Sequence, residues 1–325
     1  GFIAADKNNV TTTLGRGGSD YTAAILAAAI NAAVLEIWTD VSGMMTADPR
    51  LVNNIKHIPQ ISYQEAMELS HFGAKVIYPP TIQPVMKKGI PVWIKNTFAP
   101  DEPGTVIKNE ATATGTSIQG ISSINSIVLL SLEGSGMVGI PGFSKRLFEA
   151  LANASINVIL ITQGSSEHSI CVGVDEYASA KAKEVIDAAF AYEIETNKVD
   201  PIIVEKELSI VAIVGDNMKN HSGISGKMFS ALGRNGVSIR AIAQGSSERN
   251  ISAVISTADV KKAINVLHEE FFETTYKQVN LFIGGLGNVG QKFLDQLQQQ
   301  KQFLLEKLRI QIRVAGIANS KKMYF

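Results

Sequence analysis

The sequence predicts a mixed α/β and α+β chain made of four consecutive parts. Three observations carry this reading. Residues 1–108 alternate helix-like and strand-like segments, the pattern of an α/β layer. Two later stretches repeat one another at an offset of 81 residues, and each reads β-α-β-β-α. A final stretch, 277–325, reads as one β-α-β unit opened by a glycine-rich turn.

In the first part, the uncharged run Tyr21–Leu35 is shorter than the roughly 20 residues a membrane helix needs. Ala23–Val34 therefore reads as a buried helix, and Val34–Trp38 as the strand after it. Tyr63–Ser70 reads as a helix and Pro91–Lys95 as a strand. The Pro103-Gly104 turn and the polar stretch Asn109–Gln119 place a linker before the repeat.

In the repeat, Gly142–Leu151 matches Gly223–Leu232 at five of ten positions. Ile161–Ile170 matches Ile242–Ile251 at seven of ten, with no gap between the blocks. The first copy, 120–200, has strands at Ile127–Leu132, Asn157–Thr162 and Ser169–Val174, and helices at Lys145–Asn153 and Ala178–Phe190. The second, 205–276, has strands at Ser209–Val214, Ser238–Ala243 and Ile251–Ser256, and helices at Lys227–Arg234 and Val260–Phe272. Short strands, Gly-Ser turns and amphipathic helices give antiparallel sheets with helices on one face. The charged segment Glu193–Glu207 reads as a connector between copies. In the last part, strands Gln278–Ile283 and Arg313–Ala318 flank the helix Asn288–Gln299.

Composition narrows the function classes. Thirty basic residues balance thirty acidic ones among 325, so no overall field gathers nucleic acid or anionic membrane. Phosphate handling, if any, rests on local charge. The single cysteine, Cys171, excludes an internal disulfide and a zinc cluster, reads as a core thiol and fits a reducing, cytoplasmic setting. No metal ligand is assigned. Both ends of the sequence look cut, since it opens on Gly-Phe-Ile and stops just after a strand.

Three motifs in the first part can carry chemistry. Leu14-Gly-Arg-Gly-Gly-Ser-Asp20 precedes the uncharged helix, so glycine N–H groups and a helix N-terminus can meet an anion, and Arg16 offers a bidentate fork. Read alone, it is equally a tight turn in which Ser19 or Asp20 caps the helix. Trp38-Thr39-Asp40 ends a strand, where α/β proteins place ligand contacts, and Asp48-Pro49 is a turn that presents Arg50. Phe72-Gly73-Ala74-Lys75 sets a lysine at a helix end, within reach of a phosphate or simply solvated.

Together these motifs resemble the second half of the aspartokinase catalytic domain, in the amino acid kinase fold, which carries them in this order. The resemblance implies Arg16 and Asp20 as catalytic residues and Arg16 and Ser19 as contacts to aspartate. It implies Thr39, Asp40, Met45, Arg50 and Lys75 around Mg-ATP. Met45 stands where many relatives have an aromatic residue, and its polarizable sulfur can pack on a base. The family's Lys-Phe-Gly-Gly-Thr-Ser motif is absent from this sequence, so the chain alone is expected to be inactive.

The repeat resembles paired ACT domains, amino-acid sensors of biosynthetic enzymes, and its Gln-Gly-Ser-Ser-Glu blocks are similar to those of threonine-sensitive aspartokinases. This implies Gln163 and Gln244 as effector contacts, whose amides can both donate and accept. Asn157 and Ser238, at equivalent places on the preceding strands, are further candidates. By itself such a block is a polar hairpin; its recurrence at one offset argues for a site. His168 and Arg249 hold matching positions, differ, and receive no role.

In the last part, Gly285-Leu-Gly287-Asn288-Val289-Gly290 follows a strand and opens a helix, the context of a dinucleotide fingerprint. The second strand ends in Ala318-Asn-Ser-Lys321-Lys322, with no carboxylate and two lysines, which favours NADP(H) over NAD. This segment resembles the start of a homoserine dehydrogenase domain. The whole chain is then similar to part of the bifunctional aspartokinase–homoserine dehydrogenases. That implies ATP-dependent phosphorylation of L-aspartate, NADP(H)-linked handling of homoserine, threonine inhibition and a homodimer or higher oligomer through the ACT domains. Two other readings stay open: a non-catalytic amino-acid-binding and dimerisation module, and a monofunctional lysine-sensitive aspartokinase. The fingerprint speaks against the last, because such enzymes end with the ACT region.

Overall fold

The computed structural model describes all residues except 1, 16, 74–75, 110–117, 165–167, 217, 219–220, 245–248, 274–276, 307, 309, 320 and 325. The chain divides into two compact units, Gly1–His268 and Glu269–Phe325.

The first unit opens with a hairpin, β1 (Ile3–Ala5) and β2 (Thr11–Thr13), and then α1 (Gly18–Ala29). β3 (Leu35–Thr39), β4 (Met44–Met45), β5 (His57–Ile58) and β6 (Gln60–Ser62) follow, then α2 (Tyr63–His71), α3 (Pro79–Met86), β7 (Val92–Asn96) and β8 (Thr105–Lys108). The sheet order is β3-β7-β8-β6, with β3 parallel to β7 and β6 parallel to β8. Ile37, Ile61, Ile94 and Ile107 from its strands and Ala24, Ile82 and Val85 from α1 and α3 share one core. α1 starts earlier than periodicity predicts and stops at Ala29. Asn31 turns left-handed at φ +49°, and the Ala32 N–H closes onto the Ala27 carbonyl, which ends the helix before Val34.

The repeat forms one six-stranded antiparallel sheet. β9 (Gly120–Glu133), α4 (Phe143–Asn153), β10 (Leu160–Gln163), β11 (Ser169–Asp175), α5 (Ser179–Ala189) and the short α6 (Ala191–Glu195) make the first half. β12 (Ile203–Val214), α7 (Ile224–Arg234), β13 (Ile239–Ala243), β14 (Asn250–Ser256) and α8 (Val260–Phe272) make the second. The order is β10-β11-β9-β12-β14-β13, so the copies join within the chain through β9 and β12. The expected connector is not one: Glu193–Glu207 supplies the end of α6 and the first part of β12. Asn157 and Ser238 precede β10 and β13 rather than lying on them.

Alternation sorts the sheet's two faces. Leu130, Leu132, Ile170, Val172 and Val174 pack with Leu147, Leu151, Ala182 and Ile186 of α4 and α5. Ile127, Leu129, Leu160, Leu208, Ile210 and Val254 point the other way and enclose Phe72. Cys171 packs at that cluster's margin, half-buried, and burial raises its thiol pKa. The sheet coils until Cα atoms of its edge strands β10 and β13 lie within 8 Å of each other.

The second unit comprises β15 (Lys277–Gly284), α9 (Asn288–Glu306), β16 (Ile310–Ala318) and β17 (Met323–Tyr324). β15 and β16 are parallel, so α9 is the crossover the sequence predicts, extended to Glu306. No helix among the described residues is long and apolar enough to cross a membrane.

Candidate functional site

The kinase-type loops meet at one edge of the first sheet. A helix leading into a strand by a short turn runs antiparallel to it, so the N-termini of α1 and α3 lie at the carboxyl ends of β3 and β7. Those ends are Thr39 and Asn96, partners in register. Gly15 and Gly17 adopt φ +74° and +72°, and the Gly18 N–H reaches the Gly15 carbonyl at 3.2 Å. A Cβ on Gly17 would lie 2.4 Å from the Tyr78 Cβ, so the backbone at the entry to α1 presses on the residue that precedes α3. Phe2, Thr13, Gly15, Gly17, Gly18 and Ser19 border a cavity of about 330 Å³.

No side chain caps α1. Ser19 Oγ instead donates to Asp20 Oδ1 at 3.4 Å, so the capping alternative does not hold. Burial raises the Asp20 pKa, against the lowering effect of Ser19. With the Gly18 N–H turned to Gly15, the Ser19 and Asp20 N–H groups that follow carry no side-chain cap and can face an anion. Arg16 and Lys75 lie outside the described residues.

The second motif sits at the same edge. Thr39 Oγ1 donates to Asp40 Oδ1 at 3.1 Å, and Asn96 Nδ2 donates to Ser42 Oγ at 2.8 Å. Gly43, at φ +113°, admits no side chain, because a Cβ would meet Thr105 Oγ1 at 2.3 Å. That contact lets Thr105 accept the Met44 N–H at 2.8 Å and positions half-buried Met45. Arg50 is not extended toward a ligand: its guanidinium folds back on Asp48, with Nη2 2.7 Å from Oδ2. That pairing lowers the Asp48 pKa through the Arg50 hydrogen bonds.

This loop is held by the start of β9 and by α8 of the second copy. The Ile121 N–H donates to the Thr46 carbonyl at 2.8 Å, and Asn265 Nδ2 donates to the Leu51 carbonyl at 2.8 Å. Thr46 Oγ1 lies 2.9 Å from Nε2 of fully buried His268. Residue patterns gave no hint of these anchors, nor of the roles of Tyr78 and Asn96.

In the first copy, Gln163 ends β10 and borders a cavity of about 260 Å³ with Met137, Gly139–Ser144 and Ile170. Gly142, left-handed at φ +107°, precedes α4, and no side chain caps that helix. The uncapped N–H groups suit a carboxylate, and the Gln163 amide suits a hydroxyl or ammonium group. The second copy repeats the arrangement. Gly223, at φ +88°, precedes α7, and Ser225 Oγ donates to Gln244 Oε1 at 3.2 Å. Ser144 holds the place of Ser225 in the first copy. Asn157 and Ser238 are exposed, and Asn157 does not border the cavity.

In the second unit, β15 ends at Gly284, and the turn to α9 is Gly285-Leu286-Gly287. Gly285 takes φ +100° and donates its N–H to the Ala318 carbonyl at 2.7 Å. A Cβ on Gly290 would lie 2.1 Å from the Gly285 carbonyl oxygen, whereas Gly287 is open. Asn288 and exposed Val289 begin the helix. Tight packing at the third glycine and open space at the second fit a dinucleotide pyrophosphate. Exposed Lys321 sits in a turn in which Asn319 Oδ1 accepts the N–H groups of Lys321 and Lys322 at 2.8 Å.

Comparison with known proteins agrees with this architecture. Residues 1–96 match the amino acid kinase family, and residues 130–190 and 211–271 match an ACT domain family. The bifunctional aspartokinase/homoserine dehydrogenase of Haemophilus influenzae is 45% identical over 99% of this chain, which spans 39% of that relative's length. The lysine-sensitive aspartokinase 3 of Escherichia coli is 34% identical over 84% of the chain, and 60% of that relative is covered. The crystal structure of E. coli aspartokinase III with aspartate and ADP matches at a TM-score of 0.72 and 33% identity, over 84% of this chain and 60% of that one. The chain thus combines part of an amino acid kinase fold, over residues 1–96, with a pair of ACT domains in the repeat that follows.

Proposed function

We propose that the chain is the sensory region, with adjoining catalytic segments, of a bifunctional aspartokinase–homoserine dehydrogenase inhibited by threonine. On this reading 1–108 is the later part of the kinase domain. Residues 120–200 and 205–276 are the ACT domains, and 277–325 begins the dehydrogenase. The enzyme works in the cytoplasm as a homodimer or higher oligomer. Its kinase joins the aspartate side-chain carboxylate to the γ-phosphorus of Mg-ATP and releases ADP. Anion meets anion there, so cations and N–H groups must offset the charge. Arg16, Ser19 and Asp20 at the α1 N-terminus hold aspartate; Thr39, Asp40, Met45, Arg50 and Lys75 serve the nucleotide. Gly285, Gly287, Asn288, Val289 and Gly290 hold the NADP(H) pyrophosphate, and Lys321 meets its 2′-phosphate. NADP(H) supplies the hydride when bound.

The observation that carries the sensor assignment is Gln163 beside the uncapped start of α4, bordering one cavity. Calorimetric titration of the chain with L-threonine, L-lysine and L-methionine tests it. Saturable binding of threonine alone, weakened by Gln163→Ala and Gln244→Ala, is the expected result. Lysine binding instead would favour the lysine-sensor reading, which the E. coli relative's name supports. Binding of none of the three would refute the assignment.

A further inference from the structure

The second ACT domain grips α2 by its polar side chains. Glu65 and Glu68 lie three residues apart on one helix face. Glu65 closes the capping box of α2: Glu65 N–H donates to Ser62 Oγ, and Ser62 N–H donates to Glu65 Oε2, both at 3.1 Å. Its other oxygen accepts the Asp216 N–H at 2.8 Å. Glu68 Oε2 accepts from Asn250 Nδ2 at 2.8 Å, and Asn250 Oδ1 accepts from Ser252 Oγ at 2.8 Å. At the far end of α2, Ser122 Oγ donates to the Phe72 carbonyl at 2.8 Å. Glu65, Asn250 and Ser122 are buried.

These contacts connect two functional places. α2 leads directly into Gly73 and the Lys75 motif. Asn250 opens the strand that follows the Gln244 block, and Arg249 beside it pairs with Asp216. The Gly215 N–H also reaches the Arg249 carbonyl at 2.9 Å. Both ends of the segment that carries Gln244 are therefore tied to one helix. The first copy has Ser135, His168 and Ser169 at the places of Asp216, Arg249 and Asn250, and none of these bonds to α2 among the described residues. The mismatch of His168 with Arg249 follows this division: both copies pack around Phe72, but the polar contacts at Asp216 and Asn250 to α2 come from the second copy.

We propose that the Glu68–Asn250 and Glu65–Asp216 contacts are the link by which the state of the ACT pair is passed to α2 and to Gly73 at its end. An effector acts only through a difference between states. A carboxylate–amide bond at a part-buried seam is a sizeable difference, because buried Asn250 finds little water when it breaks. The proposal rests on the sensor reading above for the identity of the effector, but its first test needs no effector.

Amide hydrogen exchange on the whole 325-residue chain reads the link. Asn250→Asp keeps the acceptor for Ser252 and removes the donor to Glu68. Amides of residues 63–73 should then exchange about tenfold faster, while β10 and β11 stay unchanged. Glu68→Gln keeps an acceptor for Asn250 Nδ2 and removes only its charge, so it should loosen β13 and β14 less than about tenfold. The double variant, Glu68→Gln with Asn250→Asp, reverses the polarity of the bond. The introduced amide on α2 then donates to the introduced carboxylate on β14, and both segments should be restored. Asn250→Ser, which installs the first copy's residue type, is a milder second variant with the same expected loss at α2. Unchanged exchange of α2 in both Asn250 variants, or a double variant no better than Asn250→Asp alone, would overturn the link. Threonine that binds by calorimetry without altering exchange of residues 63–73 would overturn it too. Absence of threonine binding would refute the sensor reading, and the variant arm would still decide the link.

Discussion

Ser126 and Glu207 are the same position of the repeat, 81 residues apart, and both are left-handed at φ +59°. They mark an internal two-fold. Ile127 pairs with Leu208, and the exchange of copies maps that pair onto itself. It maps Ile203↔Ser131 onto Ala212↔Ser122, and Glu205↔Leu129 onto Ile210↔Ile124. The two long strands pair with each other on both sides of these residues, and each gains its second partner, β11 or β14, just past its left-handed residue. The first half of β12 completes copy one, and the first half of β9 completes copy two.

A left-handed backbone costs a non-glycine residue roughly 1–2 kcal/mol. Glycine removes that cost but adds about 0.5–1 kcal/mol of unfolded-chain entropy. Ser126→Gly and Glu207→Gly should each stabilise the chain slightly, by about 0.5 kcal/mol. The β-branched Ser126→Val and Glu207→Val should each destabilise it by about 1–2 kcal/mol. Urea unfolding checks this, and unequal effects at the two sites would deny their equivalence.

These exchanges explain what the sequence hid. The repeat, the amphipathic helices and the glycine turns were legible because each is a local pattern. The first half of β9, Gly120-Ile-Ser-Ser-Ile-Asn-Ser126, has a linker's composition; it is a strand because Ser122 is satisfied by α2 and Ile121 by Thr46. Ile203-Val-Glu-Lys-Glu207 reads as a charged connector and is a strand because β9 offers it an unpaired edge. The kinase and sensor loops announced themselves through glycine and residue type. The polar seam did not, because an Asn or Glu on a helix or strand face carries no local signal of a distant partner. Only the failure of Arg249 and Asn250 to match His168 and Ser169 hinted at it.

Arg146 should resist even its nearest substitute. Its guanidinium donates to both oxygens of Glu193, at 2.5 and 3.0 Å, and to the Ala189 carbonyl at 2.5 Å. It also lies 4.5 Å from the Phe190 ring centroid. Lysine has neither the fork nor the stacking plane. The Arg146 side chain is 41% exposed, so solvent screens the charge, and Arg146→Lys should cost only about 1 kcal/mol. The Arg146 hydrogen bond lowers the Glu193 pKa below 4.5. Its contribution is therefore present above the unfolded carboxyl pKa and lost as pH falls through the folded one. The stability gap between wild type and Arg146→Lys should narrow in acid.

Glu65 should show the opposite sign. Burial, and then the nearby Asp216 charge, raise its pKa above 4.5, against the N–H donors of Ser62 and Asp216. An acid with a raised folded pKa holds its proton more tightly when folded. Its contribution is full below the unfolded pKa and declines as pH rises through the folded one. Glutamine does not titrate, so the stability of wild type relative to Glu65→Gln should fall as pH rises from 4.5 toward neutrality. Paired urea titrations across that range measure it; a difference that grew with pH would contradict the burial argument.

Gly290 tests the dinucleotide turn without relying on catalysis. A methyl group there would sit 2.1 Å from the Gly285 carbonyl oxygen, and backbone cannot yield as a flexible side chain would. Gly290→Ala must push α9 away from the end of β15, at a cost of about 1–3 kcal/mol. Gly287 has open space around it, so Gly287→Ala should leave the fold of residues 277–325 intact. If the turn holds a pyrophosphate, that same methyl group would occupy the approach to the phosphates. Gly287→Ala should then weaken NADPH binding at least about tenfold while amide exchange in β15 and β16 stays at wild-type rates. Gly290→Ala should raise both the NADPH dissociation constant and the exchange rates. Equal NADPH affinity in wild type and Gly287→Ala would mean that the open space at the second glycine is not a ligand's.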